Sequence, residues 1–216
     1  MTVLALEFST SQRSVAVARD GRVLAETSKT GGRGTNAFGM IEQVLAAAKI
    51  GRAEIECLAV GLGPGSYTGI RVALAIAQGW QLSCGVKLLG IGGAECLAMQ
   101  ARMEKMFGQV NVVIDAQRGE FYLATYEVSA DGLKETGSLK IVAAAEVESR
   151  VRAEERLIGP EATRWFPAGI NLFPQATMLA TLAANRGDFM AGEKLEPIYL
   201  REMNFVKAPR GRARIF

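Results

Sequence analysis

The stretch 61-GLGPGSYTGIR-71 sets four glycines and a proline within nine residues and then runs into an apolar helical pattern. A loop so poor in side chains lets a backbone come close to something. A Walker A loop needs Lys and Ser/Thr after its last glycine, and here Gly69 is followed by Ile70-Arg71. The dinucleotide pattern GxGxxG also breaks, because the sixth position from Gly61 is Ser66. Two readings stay open. Gly63, Gly65 and Ser66 form an anion nest at a helix N-terminus, or they make a plain strand-to-helix turn.

The helix that follows is predicted over 67–83, and Ile70, Val72, Ala73, Leu74, Ile76, Ala77, Trp80 and Leu82 leave it almost no polar face. A helix apolar all round has to be covered on every side. Gly69, Ala73 and Ala77 recur at four-residue spacing, a small-residue ridge that another helix can approach closely. An earlier helix over 37–49, with Asn36 as its cap, is similar: Phe38, Met40, Ile41, Val44 and Leu45 precede three alanines. Either the two helices cover one another, or Phe38, Ile41, Leu45, Gly69, Ile70, Ala73 and Ala77 meet a helical partner.

Outward from these helices the chain reads as α/β. Strands are expected at 3–8, 14–18, 23–25, 54–62 and 88–91, with a third helix at 94–106. Asp20-Gly21 is a two-residue hairpin signal. The opening pattern then recurs: a strand over 110–114 ending at Asp115, another over 121–127, an Asp131-Gly132 turn and a strand over 138–142. Helices over 146–151 and 175–185 and strands at 157–158 and 198–200 complete the reading. Strand, acid, strand, Asp-Gly turn, strand appears twice, which predicts a duplicated α/β unit. The expected division is 1–107, 108–205 and a basic tail, 206–216, with a chance likeness of two hairpin sheets as the rival.

Composition removes several chemistries. The 216 residues contain no histidine. That excludes Ser-His-Asp and Cys-His hydrolases and HExxH zinc sites. Cys57, Cys84 and Cys96 form no CxxC pair and read as buried free thiols of a reducing cytoplasm. Neither a leader peptide nor a membrane span is expected. A net charge of +3 does not itself argue for nucleic acid. The tail differs, since Lys207, Arg210, Arg212 and Arg214 follow Val206 with no acid among them. It reads as a disordered end, or as a contact for RNA or an acidic partner.

Glu7 and Asp115 end the two repeated strands. Facing one cleft, they would suit Mg²⁺-nucleotide chemistry. The alternative is local: an Asp115–Arg118 contact fixing a turn.

Three segments together resemble the TsaB (YeaZ) family, the accessory subunit for making threonylcarbamoyladenosine next to the tRNA anticodon. Gly63-Pro64-Gly65-Ser66-Tyr67-Thr68-Gly69-Ile70-Arg71 is similar to its GPGSFTG(V/I)R signature. Asp115-Ala116-Gln117-Arg118-Gly119-Glu120-Phe121-Tyr122 is similar to DARxGEVY, and Pro197-Ile198-Tyr199-Leu200-Arg201 to PxYLR. In order and spacing the match spans nearly the whole chain. The resemblance implies an actin-like ATPase (RNase H-like) fold with two duplicated subdomains. It also implies a scaffold without catalysis or a cofactor of its own, ATP and Mg²⁺ acting at the level of the complex. TsaD is its implied partner through the N-terminal helices, with TsaE joining, homodimers on the same surface, and tRNA reached indirectly or through the basic tail. Two departures count against Mg²⁺-nucleotide in the chain's own cleft: Glu7 stands where the family usually has Asp, and Gly34-Thr35 where it often has His-Ser/Thr. The competing reading is a nucleotide-dependent phosphotransferase of the actin/sugar-kinase group. An older association of the family with glycoprotein peptidases lacks a metal site in a chain without histidine.

Overall fold

Strand β1 (Thr2–Glu7) is buried on both faces, and the first half of the chain is built around it. In the computed structural model, which describes residues 1–31, 36–153 and 155–200, β1 pairs antiparallel with β2 (Gln12–Arg19) and parallel with β4 (Cys57–Gly61). Edge strands β3 (Arg22–Thr30) and β5 (Lys87–Ile91) complete a sheet of order β3-β2-β1-β4-β5. The second half repeats this plan. Strand β6 (Gly108–Asp115) pairs antiparallel with β7 (Glu120–Val128) and parallel with β9 (Arg156–Gly159). With β8 (Leu133–Ala143) and the two-residue β10 (Ile170–Asn171) the order is β10-β9-β6-β7-β8. The shared order and strand directions establish the duplication.

The Asp20-Gly21 turn has positive φ at both residues (51° and 78°), as a type I′ hairpin requires. The second hairpin closes differently. Gly132 has no positive φ, and the Ser129 amide donates to the Gly132 carbonyl at 2.9 Å.

Helices α1 (Ala37–Ala48) and α2 (Tyr67–Cys84) lie on the outer face of the first sheet, over Leu4, Leu6, Phe8, Val15, Leu58 and Val60. Its inner face, with Val3, Ala5, Ala16 and Ala59, is covered by α6 (Ala176–Ala183), which comes from the far end of the chain. Helix α3 (Gly93–Met103) makes the reciprocal move. Its Ala94, Leu97, Ala98 and Ala101 pack on Val110, Val112, Ile114 and Ile158 of the second sheet. Helices α4 (Ala144–Arg152) and α5 (Ala162–Trp165) cover that sheet's outer face. The layers therefore run α1/α2, sheet, α6 and α3, sheet, α4/α5. A division at 107/108 separates the sheets and not the cores, since α3 and α6 each serve the other half.

Other expectations need correction. Residues 198–200 form no strand; the Ile198 amide donates to Leu62 O at 2.9 Å, and Met190 is the residue that bridges Leu88 on β5. Strand β4 starts at Cys57 because a 3-10 turn, Arg52–Glu54, precedes it, closed by the Gly51 amide on Glu54 Oε1 (2.9 Å). The third helix stops at Met103, with Lys105 in a left-handed conformation (φ 59°). Strand β10 and α5 were not anticipated.

The glycines of the opening stretch now have a reason. A Cβ at Gly69 would overlap the Phe8 carbonyl oxygen, and one at Gly65 the Ser9 carbonyl oxygen. The backbone that comes close to this loop is the chain's own. Gly69→Ala is therefore expected to cost about 2–3 kcal/mol despite alanine's better helix propensity. Gly79→Ala, in the same helix where nothing lies within 4 Å of a Cβ, is expected to stabilise by about 0.5–1 kcal/mol. Urea midpoints of the two variants should move in opposite directions.

Candidate functional site

The C-terminal ends of the parallel strands β1, β4 and β5 meet at the glycine loop. In an open α/β sheet this is the customary place for a ligand. Here several of the backbone groups are bonded within the chain. The Ser66 amide donates to Ser9 O (2.6 Å), the Gly93 amide to Gly63 O (2.6 Å) and the Leu62 amide to Ile91 O (2.9 Å). Ser66 is the N-cap of α2, its Oγ accepting from the Gly69 amide at 3.3 Å. The Ser9 carbonyl thus accepts the amide of the α2 N-cap, and the Phe8 carbonyl lies against Gly69 in the helix's first turn. Gly63, Gly65 and Ser66 form the turn that leads from β4 into α2.

Glu7 is fully buried beside that turn. Its Oε1 accepts from the Ser9 amide at 2.6 Å, while Oε2 and the Ser9 hydroxyl have no hydrogen-bond partner among the described residues. Oε2 packs so closely on Gly61 that a Cβ there would overlap it. Loss of hydration pushes the carboxyl up from its ordinary 4.5 to about 7, and Ser9 beside it pulls partly the other way. Such a group packs best as a neutral acid.

Asp115 is in a different situation. It is exposed at the end of β6, and its Oδ1 accepts from the Gln117 amide at 2.7 Å. The turn is therefore fixed by that amide rather than by Arg118. Strand alternation also separates the two acids. Val3, Ala5 and Glu7 face the layer between the sheets, as do Val110, Val112 and Ile114, so Asp115 points to the outer side. The acids lie 108 residues apart but one residue out of phase with the pleat. Glu7 is buried and Asp115, though open to solvent, lies on the other side of its sheet, so the two do not fit a shared Mg²⁺-nucleotide. A polar cavity between β2, β3 and Pro174-Gln175 measures about 90 Å³ and includes Glu26. Ligand sites usually span about 300–1,000 Å³.

The thiols divide. Cys57 and Cys96 are buried, and burial pushes Cys57 up to about 11. Cys84, at the end of α2, is exposed, so not all three belong to the core. Among the described residues no three His, Cys, Asp or Glu side chains come together. No described helix is long and apolar enough to cross a membrane.

A second opening lies on the other side of the sheet, between α1 and α2. It is a groove of about 320 Å³, lined by Phe38, Ile41, Ile76, Gly79 and Trp80, with the exposed Glu42–Arg52 ion pair at its rim. Phe38 is 65% exposed, and Leu82, in the last turns of α2, is 89% exposed. Most residues expected to meet a partner face inward instead: Leu45, Gly69, Ile70, Ala73 and Ala77 are buried in the protein's own core, and Ile41 is only the groove's floor. The sheet needs one face of each helix, and the small-residue ridge is spent on it. Phe38 alone of the seven is open. Ile76, Trp80 and Leu82, apolar in the sequence, are the signal that marks the outer face.

Two mixed sheets in a duplicated 3-2-1-4-5 order, flanked by helices, define an actin-like (RNase H-like) α/β protein. A family model for "TsaD: tRNA N6-adenosine threonylcarbamoyltransferase" matches residues 34–180. The TsaB protein of Escherichia coli (strain K12), of tRNA threonylcarbamoyladenosine biosynthesis, is 29% identical over 93% of this chain and 95% of its own. An uncharacterised protein of Mycobacterium tuberculosis is 32% identical over 68% of this chain and 67% of its own. The crystal structure of a Pseudomonas aeruginosa protein with similarity to peptidase YeaZ superposes with a TM-score of 0.79 at 27% identity, covering 93% of this chain and 99% of that one. YeaZ from the same organism gives 0.77 at 25% identity, covering 92% and 99%. The chain belongs to the family of that model and, within it, to the TsaB (YeaZ) members.

The buried acid makes a measurable demand. Folding takes up a proton between about pH 4.5 and 7, so the Glu7 contribution is complete below about 4.5 and is lost as pH rises through 7. Relative to Glu7→Gln, the wild-type protein is expected to lose about 3 kcal/mol of stability between pH 4.5 and 8. Paired denaturation series check this: the two curves diverge across that window if the acid is buried as described and run parallel if it is hydrated.

Proposed function

We propose that this protein is a non-catalytic subunit in the formation of threonylcarbamoyladenosine in tRNA, and that it works by docking a TsaD-type paralogue on the outer face of α1 and α2. The observation that carries this reading is the exposed apolar groove between those helices. It combines with a strand-end crevice filled by the chain's own carbonyls. A partner of the same fold owns an equivalent helix pair, and two such pairs pack as a four-helix layer. A second copy of this chain fits the same face, which makes a homodimer the competitor of the heterodimer. TsaE joins the assembled pair, and nucleotide and Mg²⁺ belong to the complex rather than to this cleft. The lack of histidine and the burial of Glu7 support the assignment of chemistry to the partner. The action takes place in the cytoplasm, where tRNA is modified.

The phosphotransferase alternative needs Glu7 and Asp115 to share an ion, and the pleat points them to different sides. Turnover of nucleotide by the isolated chain, lost in Asp115→Asn, is the result that would restore it.

Two experiments test the docking. TsaD, TsaE, the threonylcarbamoyl-adenylate synthase, ATP, bicarbonate, threonine and unmodified tRNA are combined with and without this protein, and modified adenosine is quantified by mass spectrometry. It should form only when the chain is present. Phe38→Asp should then weaken pairing with TsaD by about 30-fold or more, while stability moves by no more than about 0.5 kcal/mol because the site is exposed. Ala73→Glu is the wrong probe, since Ala73 is fully buried and a charge there unfolds the core. Unchanged pairing in both Phe38→Asp and Trp80→Glu would count against this face.

A further inference from the structure

The surroundings of Glu7 hold no charge to answer its own. Strand β2 sets Ser14 opposite it, and the Ser14 hydroxyl is taken by the Ala176 amide at the start of α6 (2.9 Å). Strand β4 lays Gly61 against Oε2, so closely that no side chain fits between them. Helix α3 contributes Cys96, whose thiol is pushed up by its own burial and by Glu7, and so stays neutral. The neighbouring acid Glu95 is paired with Arg186 at 3.0 Å. From α6 comes the Gln175 carbonyl, 3.7 Å from the Cys96 sulfur. The turn 62–66 carries no charged residue. Arg13, close in sequence, alternates with Val15 and Val17 to the other face of β2. Burial raises the carboxyl to about 7 and Ser9 opposes it, with no cation taking part. A carboxylate in such a place keeps its proton or has to be reached by water.

The backbone sets where water enters. Next to Glu7, β1 and β4 are paired through Leu6 and Val60, both fully buried. The turn into α2 is the softer side. Gly63 and Gly65 have positive φ (82° and 153°), and Gly65, pressed on the Ser9 carbonyl, is exposed. Solvent therefore stands just beyond the Ser9 peptide. That peptide also joins the acid to the helix. Its amide donates to Glu7 Oε1 (2.6 Å), and its carbonyl accepts from the amide of Ser66, the N-cap of α2 (2.6 Å). Moving Ser9 aside to hydrate Glu7 takes away the acceptor of the Ser66 amide.

We infer that Glu7 is a proton-operated latch on the first turn of α2. Protonated, it stays under the turn and Ser9 holds Ser66. Ionised, it draws water in past Gly65, and the first turn of α2 opens while the rest of the fold stays closed. The seated carboxyl is the weaker acid. Between its hydrated value of about 4.5 and its seated value of about 7, each pH unit therefore favours the open turn about tenfold, and above 7 the effect is complete. The latch does not depend on the docking reading, although α2 is the helix that brings Ile76 and Trp80 to the groove.

Amide hydrogen exchange on the isolated full-length protein tests it between about pH 5 and 8, corrected for the intrinsic pH dependence of exchange. Peptides over 62–70 should be less protected than those of β6 and β7, which report loss of the whole fold. Their protection should fall about tenfold per pH unit up to about 7 and then level off. In Glu7→Gln the same peptides should give a flat profile. Ser9→Ala removes the hydroxyl that draws the carboxyl down, so the levelling point should move to higher pH. This variant keeps both backbone bonds of Ser9 and carries the test if Glu7→Gln fails to fold. Protection over 62–70 that ignores pH in the wild type, or that falls equally in Glu7→Gln, would overturn the inference. So would protection there equal to that of β6 and β7, since Glu7 would then be hydrated by global unfolding alone. No partner is present, so the result is independent of the docking experiments.

Discussion

The carbonyl oxygens of Phe8 and Ser9 rest on the backbone of Gly69 and Gly65, and the rest of the first half follows from that seat. Because those oxygens occupy the mouth of α2, the helix has a fixed origin and direction relative to β1. Because α2 is fixed, its inner face covers Leu58 and Val60, and Ile76 and Trp80 are left to frame the groove with α1. One close approach of backbone to backbone therefore sets the frame of the groove and the packing of the glycine turn together.

Glu7 shows how a fold can keep the position of an acid without its chemistry. Its carboxyl lies under the turn, against Gly61 and with the Ser9 amide on one oxygen. A side chain one methylene longer than Asp, starting from a strand end, reaches back into the protein instead of out to solvent. Asp115 remains wet but lies on the other side of its sheet. Duplication preserved the strands and their order, while the phase of the pleat separated the two carboxylates.

Much of the architecture was legible because the signals were local. The Asp20-Gly21 turn, the Asn36 cap and the apolar runs of β1, β4 and β6 each name their own structure, and the repeat reveals the duplication. The exposed apolar groove was legible as a pair of helices and not as residues. Apolarity all round a helix states that both faces are covered but not which face the sheet takes; that is decided by the direction in which α2 leaves its loop. Ser66 was readable as part of an anion nest or of a plain turn from the same letters, and its place as the N-cap of α2, with its amide on the Ser9 carbonyl, came only with the structure. The third helix of each half was predicted in place, yet no local pattern says that α3 packs on the sheet that follows it while α6 returns to the first. The irregular 198–200 resembles a strand in composition and lacks a free edge to join, because Met190 already pairs with Leu88.

That exchange of helices has a bearing on the history and handling of the molecule. Neither copy of the repeat carries its own lid: the first sheet waits for residues near 180 before its inner face is closed, and the second borrows Leu97 from the first half. A fragment ending at the midpoint exposes two oily surfaces, so ribosomal synthesis has to proceed almost to the last helix before either half can settle. The interlock also sorts the surfaces by freedom to change. Substitutions in the middle layer must suit both copies together, whereas the α1/α2 and α4/α5 layers answer to one copy each and can drift into new roles. Binding surfaces in such a molecule arise on the outside of the stack.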